Sequence, residues 1–96
     1  MLREKAFVKK FIVKFVSDPT FDNLKKDIKN QNIEKAYFDA HTLKGVCAVL
    51  DFIKLKELTE LFVTHLKQNK IDKDIWVMLE NEYNLIIETI KGTNWM

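Results

Sequence analysis

Apolar residues return at three- and four-residue steps through nearly the whole chain, and nowhere do they alternate as a half-buried strand requires. That periodicity restricts the chain to helices with one apolar face each, and the polar breaks between the series mark where each helix ends. From Lys5 to Val16 the series is Phe7, Val8, Phe11, Ile12, Phe15 and Val16. Ser17-Asp18-Pro19-Thr20 interrupts it, because a residue before proline is steered out of the helical region. Asp18 and Pro19 then make an N-cap and first-turn pair for a short second helix, with Phe21, Leu24 and Ile28 on one side. Lys29-Asn30-Gln31-Asn32 supplies the next turn, with Asn32 as N-cap. A third helix is predicted from about Ile33 to about Leu50, striped by Ala36, Ala40, Leu43, Cys47 and Leu50. After a corner at Asp51 to Lys54, a fourth turns Leu55, Leu58, Leu61, Phe62 and Leu66 inward. Asn69-Lys70 breaks that run, Asp72 and Asp74 open the last helix, and Ile75, Trp76, Leu79, Tyr83, Ile86 and Ile90 carry it to a stop at Gly92.

Five such segments in 96 residues predict an all-α fold: an antiparallel four-helix bundle with an additional N-terminal helix, as one domain over residues 1–96. A small domain buries a modest share of its unfolded surface, so short connections and efficient helix packing are the economical solution. The single cysteine, Cys47, has no partner for an internal disulfide and sits on the core stripe, where it reads as a small buried hydrophobe. No Cys/His cluster has zinc spacing, and no metal site is expected. Lysines interrupt the N-terminal apolar series, which therefore lacks the continuous run of a signal peptide or membrane span, so a soluble protein is expected; the single cysteine suits a reducing, cytoplasmic setting, and the expected state is a monomer. A net charge of +2 is too small to imply nucleic-acid binding.

The chemistry concentrates on the other face of the third helix. At 100° per residue, Glu34, Tyr37, Phe38, Lys44, Gly45 and Ala48 all fall within about 60° of His41, opposite the Ala36 to Leu50 stripe. A glycine inside a helix costs about 1 kcal/mol against alanine, so something should compensate for Gly45. Access is one physical account: with no side chain at i+4, the imidazole edge at i stays open to a large partner. The lysine at i+3 adds a mobile positive charge within reach of a phosphoryl group on that imidazole. Histidine suits the role of acceptor, since its free side chain titrates at ~6.5 and is largely neutral and nucleophilic at physiological pH.

Ala40-His41-Thr42-Leu43-Lys44-Gly45-Val46-Cys47 resembles the signature of the histidine-containing phosphotransfer (HPt) family, in which the histidine of an H-x-L-K-G segment is phosphorylated. The helices flanking this segment stand where that family has helices. The resemblance implies that His41 accepts the phosphoryl group through Nε2, that Lys44 interacts with its oxygens, and that Gly45 leaves room for an incoming receiver domain. It further implies response-regulator receiver domains and a sensor or hybrid histidine kinase as partners, with Mg2+ carried by the receiver and no cofactor bound by this chain. Such a protein is a phosphocarrier rather than an enzyme. Tyr37, Phe38 and Ala48 are candidates for the partner-binding rim, and Lys67 is a candidate for extra positive charge. Three positions depart from the family pattern: Val49 and Asp51 stand where many members have Asn and Gly, and Val63 where Glu or Gln is frequent.

Plainer readings stand beside these. Tyr37 and Phe38 could be packing residues, and His65, without the motif's context, reads as a solvated residue on the fourth helix; a His41–His65 metal pair lacks further ligands. Arg3, Lys5, Lys9, Lys10 and Lys14 make the first helix basic as well as amphipathic. That is ordinarily a solvated face, and the sharper alternative is an adaptor that binds an anionic membrane surface or a partner groove. A degenerate HPt-like domain that binds receivers without being phosphorylated is the remaining alternative.

Overall fold

The computed structural model describes the backbone of residues 5–92 and the side chains of residues 10–92; the expectations for Arg3, Lys5, Phe7, Val8 and Lys9 as side chains lie outside the described residues. Five helices follow one another: α1 (Lys5–Ser17), α2 (Thr20–Lys29), α3 (Ile33–Leu50), α4 (Ile53–Lys67) and α5 (Lys73–Lys91). No strand occurs among the described residues. The all-α bundle is therefore as the periodicity predicts. The α2 boundary moves by one residue: Pro19 occupies the N-cap, and Asp18 stands one position earlier, its Oδ1 accepting the Thr20 backbone N–H at 2.8 Å. Asn32 and Asp72 cap α3 and α5 as expected, accepting from the Lys35 and Ile75 backbone N–H groups at 3.2 and 3.0 Å.

α2, α3 and α4 leave their last turns in the same way. Gln31, Asp51 and Asn69 each take a left-handed backbone, at φ 55°, 62° and 62°. The next N–H in each case reaches back five residues, from Asn32 to Asp27, Phe52 to Cys47, and Lys70 to His65. This is the Schellman closure, in which glycine is the usual left-handed residue. Neither glycine of the chain is used for it: Gly92 ends α5 at an ordinary φ of −79°, and Gly45 lies inside α3.

The core runs through all five helices. Leu24, Ala36, Ala40, Cys47, Leu55, Phe62 and Leu79 are fully enclosed, and Phe21, Leu43, Leu66, Ile75 and Ile90 nearly so. Phe21 of α2 stacks on Tyr83 of α5 with centroids 3.7 Å apart and lies 5.4 Å from Trp76, which in turn meets Phe62 of α4 at 5.6 Å. These rings tie three helices together. Ion pairs from Lys25 to Glu80 and from Lys54 to Glu82, both at 3.7 Å, add peripheral links to α5. α1 docks through Phe15, whose ring meets Phe52 edge-on at 5.2 Å and Tyr83 at 5.5 Å. Lys10 and Lys14 of α1 face solvent.

One expectation for α4 fails. Leu61 is 46% exposed, while Thr59 and Val63 are buried. At 100° per residue the centre of the buried arc lies near Leu66, and Leu61 is about 140° away from it. Thr59 can enter the core because its hydroxyl donates to the Leu55 carbonyl at 2.7 Å, so no polar group is left unpaired.

Candidate functional site

α3 is held on its buried stripe by Ala36, Ala40, Leu43 and Cys47, and this fixes which way its other face looks. His41 is exposed there, with Phe38, Gly45 and Ala48 also exposed and Tyr37 and Lys44 half-buried at the flank. Phe38 is 69% exposed, an unusual setting for a phenylalanine. The structure thus brings His41, Lys44, Gly45, Tyr37, Phe38 and Ala48 onto one patch. Lys67, exposed in the last turn of α4, shares no hydrogen bond or ion pair with His41 or Lys44.

Gly45 has a property that sequence alone cannot reveal. Its backbone is ordinary helix, and a Cβ built on it meets nothing within 4 Å. So neither a left-handed φ nor a close approach by another part of the chain demands glycine here. The cleared space opens to solvent beside His41.

Among the described residues the imidazole has one ring neighbour, Tyr37, whose centroid lies 6.1 Å away at a tilt of 42°. Among the described residues no side chain hydrogen-bonds either imidazole nitrogen, and Lys44 forms no ion pair. Val63, the position on α4 discussed above, is 4% exposed and aliphatic, so it offers the ring no polar partner. His65 is half-buried on α4, and among the described residues no group of three or more ligating side chains could hold a metal. Cys47 is no second nucleophile, because burial pushes its thiol up to about 12.

A pair of carboxyls that the periodicity did not single out lies on another side of α3. Asp27 of α2 is only 7% exposed, and its carboxyl is hydrogen-bonded to that of Asp39. Among the described residues its Oδ2 has no hydrogen-bond partner. Burial first, then the hydrogen bond and the like charge of Asp27, push the Asp39 carboxyl from 3.8 up to about 6, against the opposing pull of Lys35. A carboxyl in contact with another gives up its proton less readily, which is the direction in which Asp39 is shifted. The signal was present in the sequence: Asp27 falls within the inward arc of α2, next to Leu24 and Ile28.

Comparison with protein families supplies the remaining observation: the model of the Hpt domain matches residues 17–91. This chain belongs to the Hpt domain family. The match covers α2 to α5 and begins at the last residue of α1, so α1 lies almost wholly outside it. Comparisons with curated proteins and with solved structures found no match. Hpt domains are phosphocarrier modules of two-component phosphorelays that interact with receiver domains and histidine kinases. Among the described residues, no helix is long and apolar enough to cross a membrane.

Proposed function

We propose that this chain is a cytoplasmic, monomeric phosphocarrier that accepts a phosphoryl group on Nε2 of His41 from one receiver domain and donates it to another, linking a hybrid kinase to a downstream regulator. The observation that carries this reading is Gly45: a helix-weakening residue one turn from an exposed histidine, in a space that no other described residue fills. A binding partner that must approach the imidazole edge gives that space a use.

In the accepting step the Nε2 lone pair attacks the phosphorus of a receiver's aspartyl phosphate. A P–N bond forms, the acyl P–O bond breaks, and the freed carboxylate stays on the receiver; the proton on Nδ1 remains in place. Donation runs the same exchange backwards. Negative charge spreads over the three phosphoryl oxygens during transfer. Lys44, one turn from His41 and without an ion pair among the described residues, offsets part of it, and the receiver's own Mg2+ carries the rest, so this chain needs no cofactor. Phe38, Tyr37 and Ala48 form the rim on which the receiver docks, and Lys67 adds charge at the margin.

The test is transfer of labelled phosphate from a phosphorylated receiver, with magnesium, to the wild-type protein and to His41→Gln. Acid-labile, alkali-stable label on the wild type alone is expected. Label on a folded His41→Gln variant overturns the site assignment. Receiver binding without label, for every receiver tried, replaces the carrier with an unphosphorylated adaptor.

A further inference from the structure

Among the described residues the exposed imidazole of His41 has no hydrogen-bonded partner on either nitrogen, and a freely rotating nucleophile would spend most of its time misdirected. Phosphoryl transfer depends chiefly on positioning and electrostatics. On the packing helix α4, Val63 is buried and aliphatic and offers the ring no polar partner. What the ring does have is Tyr37, one turn back on the same helix.

Tyr37 is suited to hold another ring. It is half-buried and packs against the core cluster, so its own position is anchored where that of His41 is not. Residues four apart on a helix face each other. The centroid separation of 6.1 Å and the 42° tilt fall in the range of favourable aromatic pairs. We propose that Tyr37 is the positioning residue for His41, its anchored ring restricting the imidazole rotamers so that one edge stays directed toward the space cleared by Gly45. This rests on the phosphocarrier reading for its purpose, but the orientation itself is a property of the free protein. Among the described residues the tyrosine hydroxyl has no hydrogen-bond partner, and the ring alone is assigned the task.

A small donor separates this role from docking. Phosphoramidate needs no protein surface, so a Tyr37 that served only as a receiver contact would leave its reaction with His41 unchanged. The experiment uses the full chain with His65→Gln, leaving one histidine, and compares Tyr37→Phe, Tyr37→Leu and Tyr37→Ala, with helicity checked by circular dichroism. Two readouts are taken: the ring-proton shifts of His41 by NMR, and its rate of phosphorylation by phosphoramidate. Tyr37→Phe should keep the upfield ring-current displacement and the wild-type rate. Tyr37→Leu, which retains bulk without a ring, and Tyr37→Ala should both lose the displacement and react about threefold to tenfold more slowly. Equal rates and unchanged shifts in Tyr37→Leu overturn the proposal, as does a Tyr37→Phe variant that behaves like Tyr37→Ala. If receivers fail to label the wild type while these NMR and phosphoramidate differences appear, the carrier reading falls and the positioning of His41 by Tyr37 stands.

Discussion

Replacing Asp39 with Asn should make the protein more stable near neutral pH and remove part of its pH dependence. In the folded chain the Asp39 carboxyl is raised from 3.8 to about 6, chiefly by burial and then by its contact with Asp27. A carboxyl with a higher pKa in the fold than in the unfolded chain binds its proton more tightly when folded. The resulting stabilisation is complete below about pH 4 and is withdrawn as the pH rises through about 6. At 1.36 kcal/mol per pH unit, the interval from 3.8 to about 6 sets a ceiling of ~3 kcal/mol. Asp39 is only half-buried, and Lys35 pulls the other way, so solvent screening reduces this to roughly 1 kcal/mol. Asparagine at this position preserves the shape and donates an amide N–H to the Asp27 carboxylate, with no proton to lose. The assay is urea unfolding of wild type and Asp39→Asn between pH 4.5 and 8, read as the difference between the two so that the other titrating groups cancel. The variant should gain on the wild type as pH rises, ending about 1 kcal/mol ahead at pH 7.5, or about 4–8 °C in Tm. A difference that stays constant across that range, or a variant less stable at pH 7.5, refutes the raised Asp39 carboxyl as the source of the effect.

Three further outcomes follow from the site and the corners. Gly45→Ala should stabilise the fold by about 0.5–1 kcal/mol, since its Cβ meets nothing, whereas Gly45→Gln should fold equally well yet slow transfer from a receiver; unchanged transfer in Gly45→Gln counts against the access argument. Lys44→Ala should slow that transfer without abolishing it, and rates equal to wild type would remove Lys44 from the mechanism. Asp51→Gly should raise the unfolding midpoint, by a gain of up to about 1 kcal/mol, because Asp51 holds a left-handed φ of 62° that glycine adopts without strain; a lower midpoint would mean that the aspartate side chain holds the corner in some other way.

Helix boundaries were legible wherever a side chain performs the capping itself. Asn32 and Asp72 accept the N–H groups that their positions imply, and the α3 limits agree with the periodicity. Interior positions were less legible where identity and angle conflict. Leu61 is apolar but points outward, and Thr59 is polar but buried, because direction on a helix is set by the 100° step and a threonine can satisfy itself on its own backbone. The Asp27–Asp39 pair was missed for a related reason: a single helix wheel marks Asp27 as inward but cannot say that Asp39 of the next helix meets it. Candidate-site residues on one face of α3 needed no such tertiary information, and the structure groups them as the wheel does.

Gly45 shows most clearly what the sequence could and could not say. The sequence establishes that a cost is incurred inside a helix, but a costly glycine has three ordinary uses: a left-handed backbone, close packing of another segment, or room for a partner. The corners show that this chain enters left-handed conformations without glycine, at Gln31, Asp51 and Asn69, so glycine is not kept for want of alternatives in turns. The helical backbone at Gly45 eliminates the first use, and the empty surroundings of its Cβ eliminate the second. Among the described residues nothing fills that room, and what borders it is the exposed His41, with the Tyr37 ring 6.1 Å from the imidazole and Lys44 one turn along. The Hpt domain match over residues 17–91 includes the whole of α3, the helix that carries this face.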